Sequence, residues 1–446
     1  MKDLLKNRWF KFALWGGLYL LWVIWLGNYW WLLALAIIFD IYVTKKVKWA
    51  FWSKRDSNGK KGAIVEWVDA ILFAVVAATF IRMFFFEAYT IPTSSMEKSL
   101  LVGDYLFVSK VHYGPKVPQT PISFPLVHNV MPITGGESYS TIIQNKYRRL
   151  KGFSKVKRDD IVVFGFPHGD TILKGAPTDD YYTHVRINGR KYTQDVYGPI
   201  VVRPDDKKDN YVKRCVAVAG DTLRVVNGKV IVNSVPQKEF SGIQNTYTVY
   251  TNGTTINSKF FNKMGMNMGE VYYDSQLPGY PALPLTESDL ELVKSLGNIV
   301  EIKQNIDFYP PKYPDSPLMI FPFSENYKWT RDNYGPLWIP KKGESVNLDL
   351  DNLPLYSRII TAYEDNELVI KDGDIYINGV VAKSYTFKQD YFFMMGDNRH
   401  NSLDSRYWGF VPEDHIVGTP FITWFSTDKY KSFPKNIRWS RLFKLL

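Results

Sequence analysis

Cysteine and the familiar catalytic motifs are nearly absent from this sequence of 446 residues. The single cysteine, Cys215, cannot form a disulfide within the chain, so an oxidising compartment would add no cross-link. No G-x-S-x-G, H-E-x-x-H or Walker A sequence occurs, and the six histidines are scattered. We therefore expect neither a metal ion nor a cofactor.

Apolar and basic residues are abundant by contrast. Hydrophobic residues make up 46% of the chain and aromatic residues 16%, which is enough for large cores. The length suits two or three domains, or one domain with large insertions. A formal charge of +11 fits either nucleic acid or an anionic membrane surface. Because the charges flank apolar runs, we expect a lipid bilayer as partner and no nucleic acid.

The first apolar stretch, 9–43, exceeds the about 20 residues that one membrane crossing needs. The Gly-Asn-Tyr-Trp sequence at Gly27 offers a turn and interfacial aromatic residues. The pattern predicts two spans, about 9–26 and about 29–43, of which the second is short and contains Asp40. A cleaved signal peptide is the alternative for the first span, but no small-x-small site follows it.

A third span is predicted at about 67–86, with a buried helix of a soluble domain as the alternative. Basic residues precede the first span and fill the loop before the third, which places both segments on the cytoplasmic side. Three crossings then put everything after Phe86 outside. These basic residues are Lys2, Lys6, Arg8, Lys11, Lys45, Lys46, Lys48, Lys54, Arg55, Lys60 and Lys61.

Short alternating segments dominate the chain after residue 87 and predict strands, as in DYLFVSKV and KRDDIVVFGFP. Asn-Gly pairs at 227–228 and 378–379 predict two tight hairpins. A helix is predicted from the N-cap Thr286 to a stop at Gly297, with a Leu285–Leu290 staple. The segment IDFYPPKYPDSPL indicates a loop, and the basic, aromatic tail fits either a membrane-surface contact or a packed terminal helix.

We therefore expect a mainly β, membrane-anchored protein. Its N-terminal transmembrane helices precede an antiparallel β-rich catalytic domain with a large inserted small domain. The predicted divisions are 1–62 for the hairpin of spans with its basic loop, 63–87 for the third helix, 88–240 and 366–425 for the catalytic domain, 241–365 for the inserted subdomain and 426–446 for the tail.

A serine can act as a nucleophile without a histidine if a neutral lysine takes its proton. Neutral lysine requires dehydrated surroundings, because burial disfavours the ammonium form. The apolar strand sequence NYVKRCVAVAGDTL offers Lys213, which would share a strand face with Tyr211 and Cys215. This pattern alone is a weak signal, because lysines with apolar neighbours on edge strands are common and a structural lysine is the more frequent case.

Four blocks in this sequence resemble the bacterial type I signal peptidases, a family of membrane-bound serine peptidases. They are IPTSSM, LLVGDYLFVSK, the pair VKRDDIVVF and YVKRCVAVAGDTL, and MMGDNRHNSLDSRYWGFVPEDHIVG. The last block is the most specific. Together the blocks cover about a third of the residues, while the tail and the large insertion lie outside them.

The resemblance implies that Ser95 is the nucleophile and Lys213 the general base of a Ser-Lys dyad. It implies that Thr93 and the Ser95 amide hold the oxyanion, and that Ser402 orients the lysine. Asp404 and Arg406 correspond to a bracing acid–base pair, for which a purely structural ion pair is the alternative. The residues that correspond to shallow substrate pockets are Tyr89, Ile91, Met96, Leu100 and Val212.

The implied activity is the removal of N-terminal signal peptides from exported preproteins, at a membrane and on its outer side. The sequence departs from the family pattern at Glu97, Lys98 and Ser99, and at His400, where an aspartate is common. Two alternatives stay open. One is a noncatalytic membrane-anchored relative that binds or assembles secreted chains, and the other is a processing peptidase with one dedicated substrate.

Overall fold

A computed structural model describes residues 7–47, 49, 62–167, 171–173, 181–266, 269, 271–273, 279–310 and 320–446. The chain divides into two compact units, one of residues 1–85 and 114–153, the other of 86–113 and 154–446. Of the predicted basic residues, Lys2, Lys6, Lys48, Lys54, Arg55, Lys60 and Lys61 lie outside the described residues, as does most of the predicted loop 306–318.

The first unit contains two helices that are long and apolar enough to cross a bilayer, α1 (Arg8–Leu26) and α3 (Ala63–Phe84). The Asn7 side chain caps α1 by accepting the Trp9 N–H, and Gly27 ends it in the left-handed conformation that favours glycine. Helix α3 starts about four residues before the predicted start of the third span. It ends at Phe84, because Phe86 already pairs with Ser109 in a sheet.

The predicted second span is helical over Tyr29–Thr44 but shorter than α1 and α3. It consists of a 3₁₀ segment (Tyr29–Ala34), α2 (Leu35–Phe39) and a π segment (Asp40–Thr44). The Asp40 carboxylate accepts the backbone N–H groups of Lys46 and Val47, each at 3.0 Å. Asp40 therefore caps the residues that follow this segment, and a full crossing here remains a prediction.

Residues 114–153 complete the first unit with little regular structure. Leu150 is buried in one cluster with Leu26 and Phe84. The Lys151 carbonyl accepts the indole N–H of Trp25 at 3.0 Å. This segment therefore packs against residues near the C-terminal ends of α1 and α3.

The second unit is built mainly from antiparallel strands. Its helices are short: α4 (Tyr181–Asn188), α5 (Arg190–Tyr197), α6 (Ser258–Lys263), α7 (Glu287–Lys294), α8 (Leu353–Arg358) and α9 (Ser405–Trp408). The strands are β1 (Phe86–Thr90), β2 (Asp104–Ser109), β3 (Ile161–Gly165), β4 (Thr171–Leu173), β5 (Ile200–Val202), β6 (Asn210–Ala217), β7 (Thr222–Val226), β8 (Lys229–Val232), β9 (Val235–Pro236), β10 (Asn245–Thr251), β11 (Tyr272–Tyr273), β12 (Pro281–Leu285), β13 (Ile299–Gln304), β14 (Tyr334–Trp338), β15 (Ser345–Asn347), β16 (Leu368–Lys371), β17 (Asp374–Ile377), β18 (Val380–Val381), β19 (Ser384–Thr386), β20 (Tyr391–Met395), β21 (Val411–Pro412), β22 (Ile416–Ser426) and β23 (Lys444–Leu445).

The largest sheet has the order β1-β2-β22-β3-β6-β20-β21, with β23 also paired to β22. β2 alternates buried and half-exposed residues, as expected for a strand with one face on a core. β6 lies between β3 and β20, so both of its edges are hydrogen-bonded. The predicted Lys213 strand is therefore an interior strand of the sheet, and a lysine there is hard to solvate.

Both predicted Asn-Gly hairpins are confirmed. Val226 pairs with Lys229, and Ile377 pairs with Val380, across two-residue turns. The φ angles are +48° and +78° at 227–228, and +50° and +78° at 378–379, as a type I′ turn requires.

The predicted helix is α7, and its capping box joins Thr286 and Asp289 as expected. It ends at Lys294 rather than at Gly297, because the chain already turns at Ser295. α7 and the sheet β11-β12-β10-β13 share a core of Val249, Phe261, Met264, Met266, Leu283, Leu285, Leu290 and Val293. We refer to residues 245–304 as the β10–β13 subdomain.

The remainder of the predicted insertion packs elsewhere. β14 pairs with β7, and Leu353, Tyr356 and Ile360 belong to the largest core, which also contains Phe393 of β20. Among the described residues of the stretch 241–365, the first half has a sheet and core of its own and the second half joins the largest core. The inserted domain with those boundaries remains a prediction.

The C-terminal tail is a 3₁₀ turn (Trp439–Arg441) followed by β23, which pairs with β22. The predicted terminal helix is wrong, because the tail forms this 3₁₀ turn and β23 instead. The tail is packed nonetheless, since the Arg441 side chain points inward to a fully buried Asp104, with Nη2 2.5 Å from Oδ2. Trp439 and Phe443 are 66% and 70% exposed, so a membrane-surface contact remains open.

Candidate active site

Ser95 lies in a 3₁₀ turn, Ser94–Met96, that follows β1. Pro92 and the extended Thr93 precede this turn, and the N–H of Glu97 closes it on the Ser94 carbonyl at 2.9 Å. The Met96 side chain is fully buried among Ile91, Leu100 and Leu106. This apolar anchor fixes the neighbouring Ser95, which is itself buried.

Lys213 reaches Ser95 from the middle of β6. Its Nζ lies 2.7 Å from Ser95 Oγ and 3.1 Å from the Val212 carbonyl oxygen. As the alternation of the strand predicts, Nζ also lies near the Tyr211 ring, 5.7 Å from its centroid. The side chains of two segments 118 positions apart in sequence thus meet at hydrogen-bond distance.

Burial lowers the pKa of Lys213 to about 8 from an ordinary value of 10.5. The carboxylates of Asp404 and Asp397 act in the opposite direction, because negative charge favours the ammonium form. Burial prevails, so a substantial fraction of the amine is neutral slightly above neutral pH. A neutral amine at this distance can accept the hydroxyl proton of Ser95.

Thr93 lies on the exposed side of the same turn. Its Oγ1 is 3.5 Å from Ser95 Oγ, which is longer than an ordinary O–H···O hydrogen bond of about 2.5–3.0 Å. The hydroxyl is therefore close to any group bonded to Ser95, as a donor to an oxyanion would have to be.

The loop 396–404, between β20 and α9, and the first turn of α9 carry the other predicted residues. Arg406 donates to both carboxylate oxygens of Asp404, from Nε at 2.9 Å and Nη2 at 2.7 Å. Burial opposes ionisation of Asp404, but this ion pair prevails and lowers the pKa of the carboxyl. Asp404 also accepts the N–H of Gly396 at 3.1 Å, so the pair holds both ends of the loop together.

Ser402 is buried in the same loop beside Gly396. Within the described residues, its hydroxyl has no hydrogen-bond partner. It is not within hydrogen-bond distance of Lys213, so its predicted orienting role stays a prediction.

A second ion pair links β6 to the loop and was missed by sequence reasoning. Arg214 donates to both oxygens of Asp397, at 2.8 and 2.6 Å, and Ser99 Oγ donates to the same carboxylate at 2.5 Å. Asp397 lies in the Gly-Asp-Asn-Arg sequence 396–399, whose residue types are typical of a turn. The adjacent Lys-Arg pair of β6 was the available signal, because successive strand residues point to opposite faces.

Asparagines join the loop to the Ser95 turn. The Asn398 N–H donates to the Ser95 carbonyl at 3.1 Å, and Asn401 Nδ2 donates to Ser94 Oγ at 2.9 Å. Ser94 therefore fastens the turn to the loop and does not face Lys213.

A largely apolar cleft of about 720 Å³ opens beside Ser95 and Lys213. Tyr89, Ile91, Met96 and Val212 line it, as predicted for substrate pockets. Leu100 does not line it, because this side chain is fully buried in the core behind Met96. The other lining residues include Leu106, Val163, Phe166, Tyr211, His400, Leu403 and Tyr407.

No group of three or more histidine, cysteine, aspartate or glutamate side chains in the described part of the chain could hold a metal ion. A buried serine beside a dehydrated lysine, at the floor of an open apolar cleft, instead has the features of a serine hydrolase that uses lysine.

Comparison with known proteins identifies the family. The family model described as "Signal peptidase, peptidase S26" matches residues 64–273 and 378–425, more than half of the chain. The chain belongs to this family, whose members are serine endopeptidases. The unmatched interval, 274–377, includes part of the β10–β13 subdomain and the segment that joins the largest core.

Curated relatives match most of the chain. Signal peptidase I of Haemophilus influenzae is 26% identical over 376 residues, which cover 83% of this chain and 73% of the relative. Signal peptidase I of Helicobacter pylori is 24% identical over 393 residues, covering 85% and 90%. The enzyme of Buchnera aphidicola from Acyrthosiphon pisum is 24% identical over 377 residues, covering 84% and 79%.

Proposed function

We propose that this protein cleaves N-terminal signal peptides from exported preproteins, with Ser95 as nucleophile and Lys213 as general base. The observation that carries the proposal is the 2.7 Å approach of Lys213 Nζ to Ser95 Oγ in a buried site of a peptidase S26 chain. Membership of a peptidase family speaks against a noncatalytic relative. A single dedicated substrate remains the second candidate.

The proposed reaction has two stages. Ser95 Oγ attacks the scissile carbonyl carbon while its proton moves to Lys213 Nζ, and the proton then passes to the departing amine as the peptide bond breaks. The signal peptide is left as an ester on Ser95. Water attacks this ester and gives a proton to the same lysine, which passes it to Ser95 Oγ as the ester C–O bond breaks. The signal peptide leaves with a free carboxylate, and both Ser95 and neutral Lys213 are restored.

Thr93 Oγ1 and the backbone N–H of Ser95 are the proposed donors to the oxyanion of both tetrahedral intermediates. One donor of this kind contributes on the order of 3 kcal/mol to transition-state stabilisation. Asp404 and Arg406 are proposed to brace the loop, and Ser402 to orient Lys213 by a hydrogen bond. The 2.7–2.9 Å contacts of the Asp404–Arg406 pair support the bracing role.

The substrate would bind as an extended strand beside β1, which lies at the end of the large sheet. Small side chains before the cleavage site would enter the cleft between Ile91, Met96 and Val212. These apolar walls serve the chemistry too, because they keep water from Lys213.

We also propose the topology and the domain divisions predicted from the sequence, with the catalytic domain on the outer side of the membrane. The helices α1 and α3 suit membrane anchoring by length and composition. The positions of basic residues in the sequence support the sidedness. A protease-protection assay on sealed vesicles of both orientations tests it, and digestion of residues 88–425 from the cytoplasmic face would contradict it.

The test of function is cleavage of several preproteins by purified, detergent-solubilised protein. Ser95→Ala and Lys213→Ala are expected to abolish cleavage while membrane insertion is kept. Ser94→Ala is the matched control, and it should keep most activity because only its bond from Asn401 is lost. Cleavage by either dyad variant would refute the mechanism, and cleavage of a single preprotein would favour the dedicated peptidase.

A further inference from the structure

Two of the residues at which this chain departs from the family pattern near the site, Lys98 and His400, contact the stretch predicted as an insertion. Lys98 lies three positions after Ser95, and His400 lies two positions before Ser402. Each therefore sits on one of the two loops that form the candidate active site, close to the reacting groups but outside the dyad.

Lys98 joins the Ser95 loop to the β10–β13 subdomain. Its Nζ donates to the Met264 carbonyl at 2.7 Å and lies 3.4 Å from Asp289 Oδ2. Only 21% of the lysine side chain and 7% of the Asp289 side chain are exposed. Asp289 is itself held by the capping box of α7, so the lysine binds a fixed carboxylate.

His400 joins the other loop to the same stretch. Its Nδ1 accepts the N–H of Thr246, at the start of β10, at 3.1 Å. Nε2 then carries the proton and donates to Asp332 Oδ1 at 2.8 Å, with both side chains almost fully buried. The Asp332 carboxylate also accepts the N–H of Asp307 at 2.9 Å, so its position is fixed from two sides.

Backbone bonds add a third connection. The Gln244 N–H donates to the Asp397 carbonyl at 2.8 Å, and the Arg399 N–H donates to the Gln244 carbonyl at 2.9 Å. Gln244 thereby forms a parallel bridge with Asn398. The segment entering β10 lies along the loop whose Asn398 binds the Ser95 carbonyl.

From these contacts we propose that the β10–β13 subdomain, together with Asp332, is a positioning element for the Ser95–Lys213 pair, and that Lys98 and His400 are its positioning residues. The subdomain holds the Ser95 loop through Lys98 and the Ser402 loop through His400. It thus sets the separation of the two loops. The Ser402 loop is tied in turn to β6, which carries Lys213, by the Arg214–Asp397 ion pair, so the position of Ser95 relative to Lys213 depends on this separation. This inference rests on the proposed function and assigns a role to the insertion within it.

The Lys98 test compares Lys98→Met with Lys294→Met. The second variant removes Lys294 of α7, which pairs with Glu291. Both of these side chains are well exposed. For Lys98→Met we expect a fall of about tenfold in kcat with KM changed less than about twofold, because alignment is lost and the cleft is not. The acid limb of the pH–rate profile should also move to higher pH, since a loosened site hydrates Lys213. Lys294→Met should match the wild type in kcat, in KM and in the acid limb of the pH–rate profile.

The His400 test uses two isosteres. His400→Asn keeps an acceptor near the Nδ1 position but loses the donor to Asp332, and His400→Gln keeps the donor but loses the acceptor. If the histidine joins two elements, each variant lowers kcat by about 3- to 10-fold, and this fall exceeds any change in KM even though His400 also lines the cleft. Wild-type kcat in both variants would overturn its part in the proposal.

Amide hydrogen exchange separates this inference from the proposed function. In Lys98→Met, exchange should become faster at the amides of Glu97, Ser99 and Asn398, and stay unchanged in β8. If the wild type cleaves no preprotein, the proposed function is wrong, and this comparison still decides the positioning role. Where Lys98→Met does not fold, Asp289→Asn provides the same test, because it removes the charge but keeps an acceptor for Thr286. If Lys98→Met, or Asp289→Asn in its place, shows exchange rates and a kcat equal to those of Lys294→Met, the proposal is refuted.

Discussion

At the scale of single residues, Lys213 combines two opposing effects, since burial favours its neutral form while Asp404 and Asp397 favour the charged form. With a pKa of about 8, the reactive neutral form is lost as the pH falls below that value. We expect kcat/KM to fall about tenfold for each unit below pH 7 and to level off above about pH 9. A profile that stays flat down to pH 6 would contradict Lys213 as the base.

The same lowered pKa predicts that Lys213 destabilises the fold at neutral pH. The lysine binds a proton more weakly when folded than when unfolded, so the cost is full below about pH 8 and disappears as the pH rises towards 10.5. The shift corresponds to about 3 kcal/mol at most. Lys213→Met should therefore raise the free energy of unfolding at pH 7 by about 1–3 kcal/mol, measured by urea denaturation of both proteins. This gain in the free energy of unfolding should be absent at pH 10.5. A gain that does not depend on pH would show that better packing of the methionine, and not the lysine charge, causes it.

At the scale of elements, the two site loops meet at Gly396, where no side chain fits. A Cβ there would lie 2.2 Å from Ser402 Oγ and 2.6 Å from the Ser95 carbonyl oxygen. Gly396→Ala should therefore separate the loops and lower kcat by about 100-fold or more, measured on a preprotein. Gly379→Ala is the control, since this hairpin glycine has φ +78° but open space around it. The Gly379→Ala variant should lose about 1 kcal/mol in the free energy of unfolding and keep its activity. Equal losses of activity in Gly396→Ala and Gly379→Ala would refute the steric explanation.

At the scale of the whole second unit, the C-terminal tail places a buried charged side chain, Arg441, against strand β2 of the large sheet. Arg441 pairs with Asp104 of β2 and also donates to the Ser99 carbonyl at 3.3 Å. Arg441→Met leaves Asp104 buried without its partner and should cost about 3 kcal/mol in the free energy of unfolding. Lys444→Met, at an exposed position of β23, should change it little. A loss of less than 1 kcal/mol for Arg441→Met would show that the tail is dispensable for folding.

Local signals made several features predictable from the sequence alone. The Asn-Gly hairpins, the Thr286 cap and the apolar helices α1 and α3 depend on neighbouring residues, and short-range chemistry suffices for them. The family blocks likewise located Ser95 and Lys213, because motif residues stand at recognisable positions. Their roles as nucleophile and base remain predictions for the variants above.

Only the tertiary structure decided how these residues meet and what holds them. The 2.7 Å contact of Lys213 with Ser95 depends on the pairing of β6 between β3 and β20, which joins segments far apart in sequence. The inward Arg441, the buried Leu100 and the division of the stretch 241–365 between two cores follow from long-range packing that no local pattern encodes. The same holds for the contacts of Lys98 and His400 with the β10–β13 subdomain and Asp332, which the sequence presented only as departures from a motif.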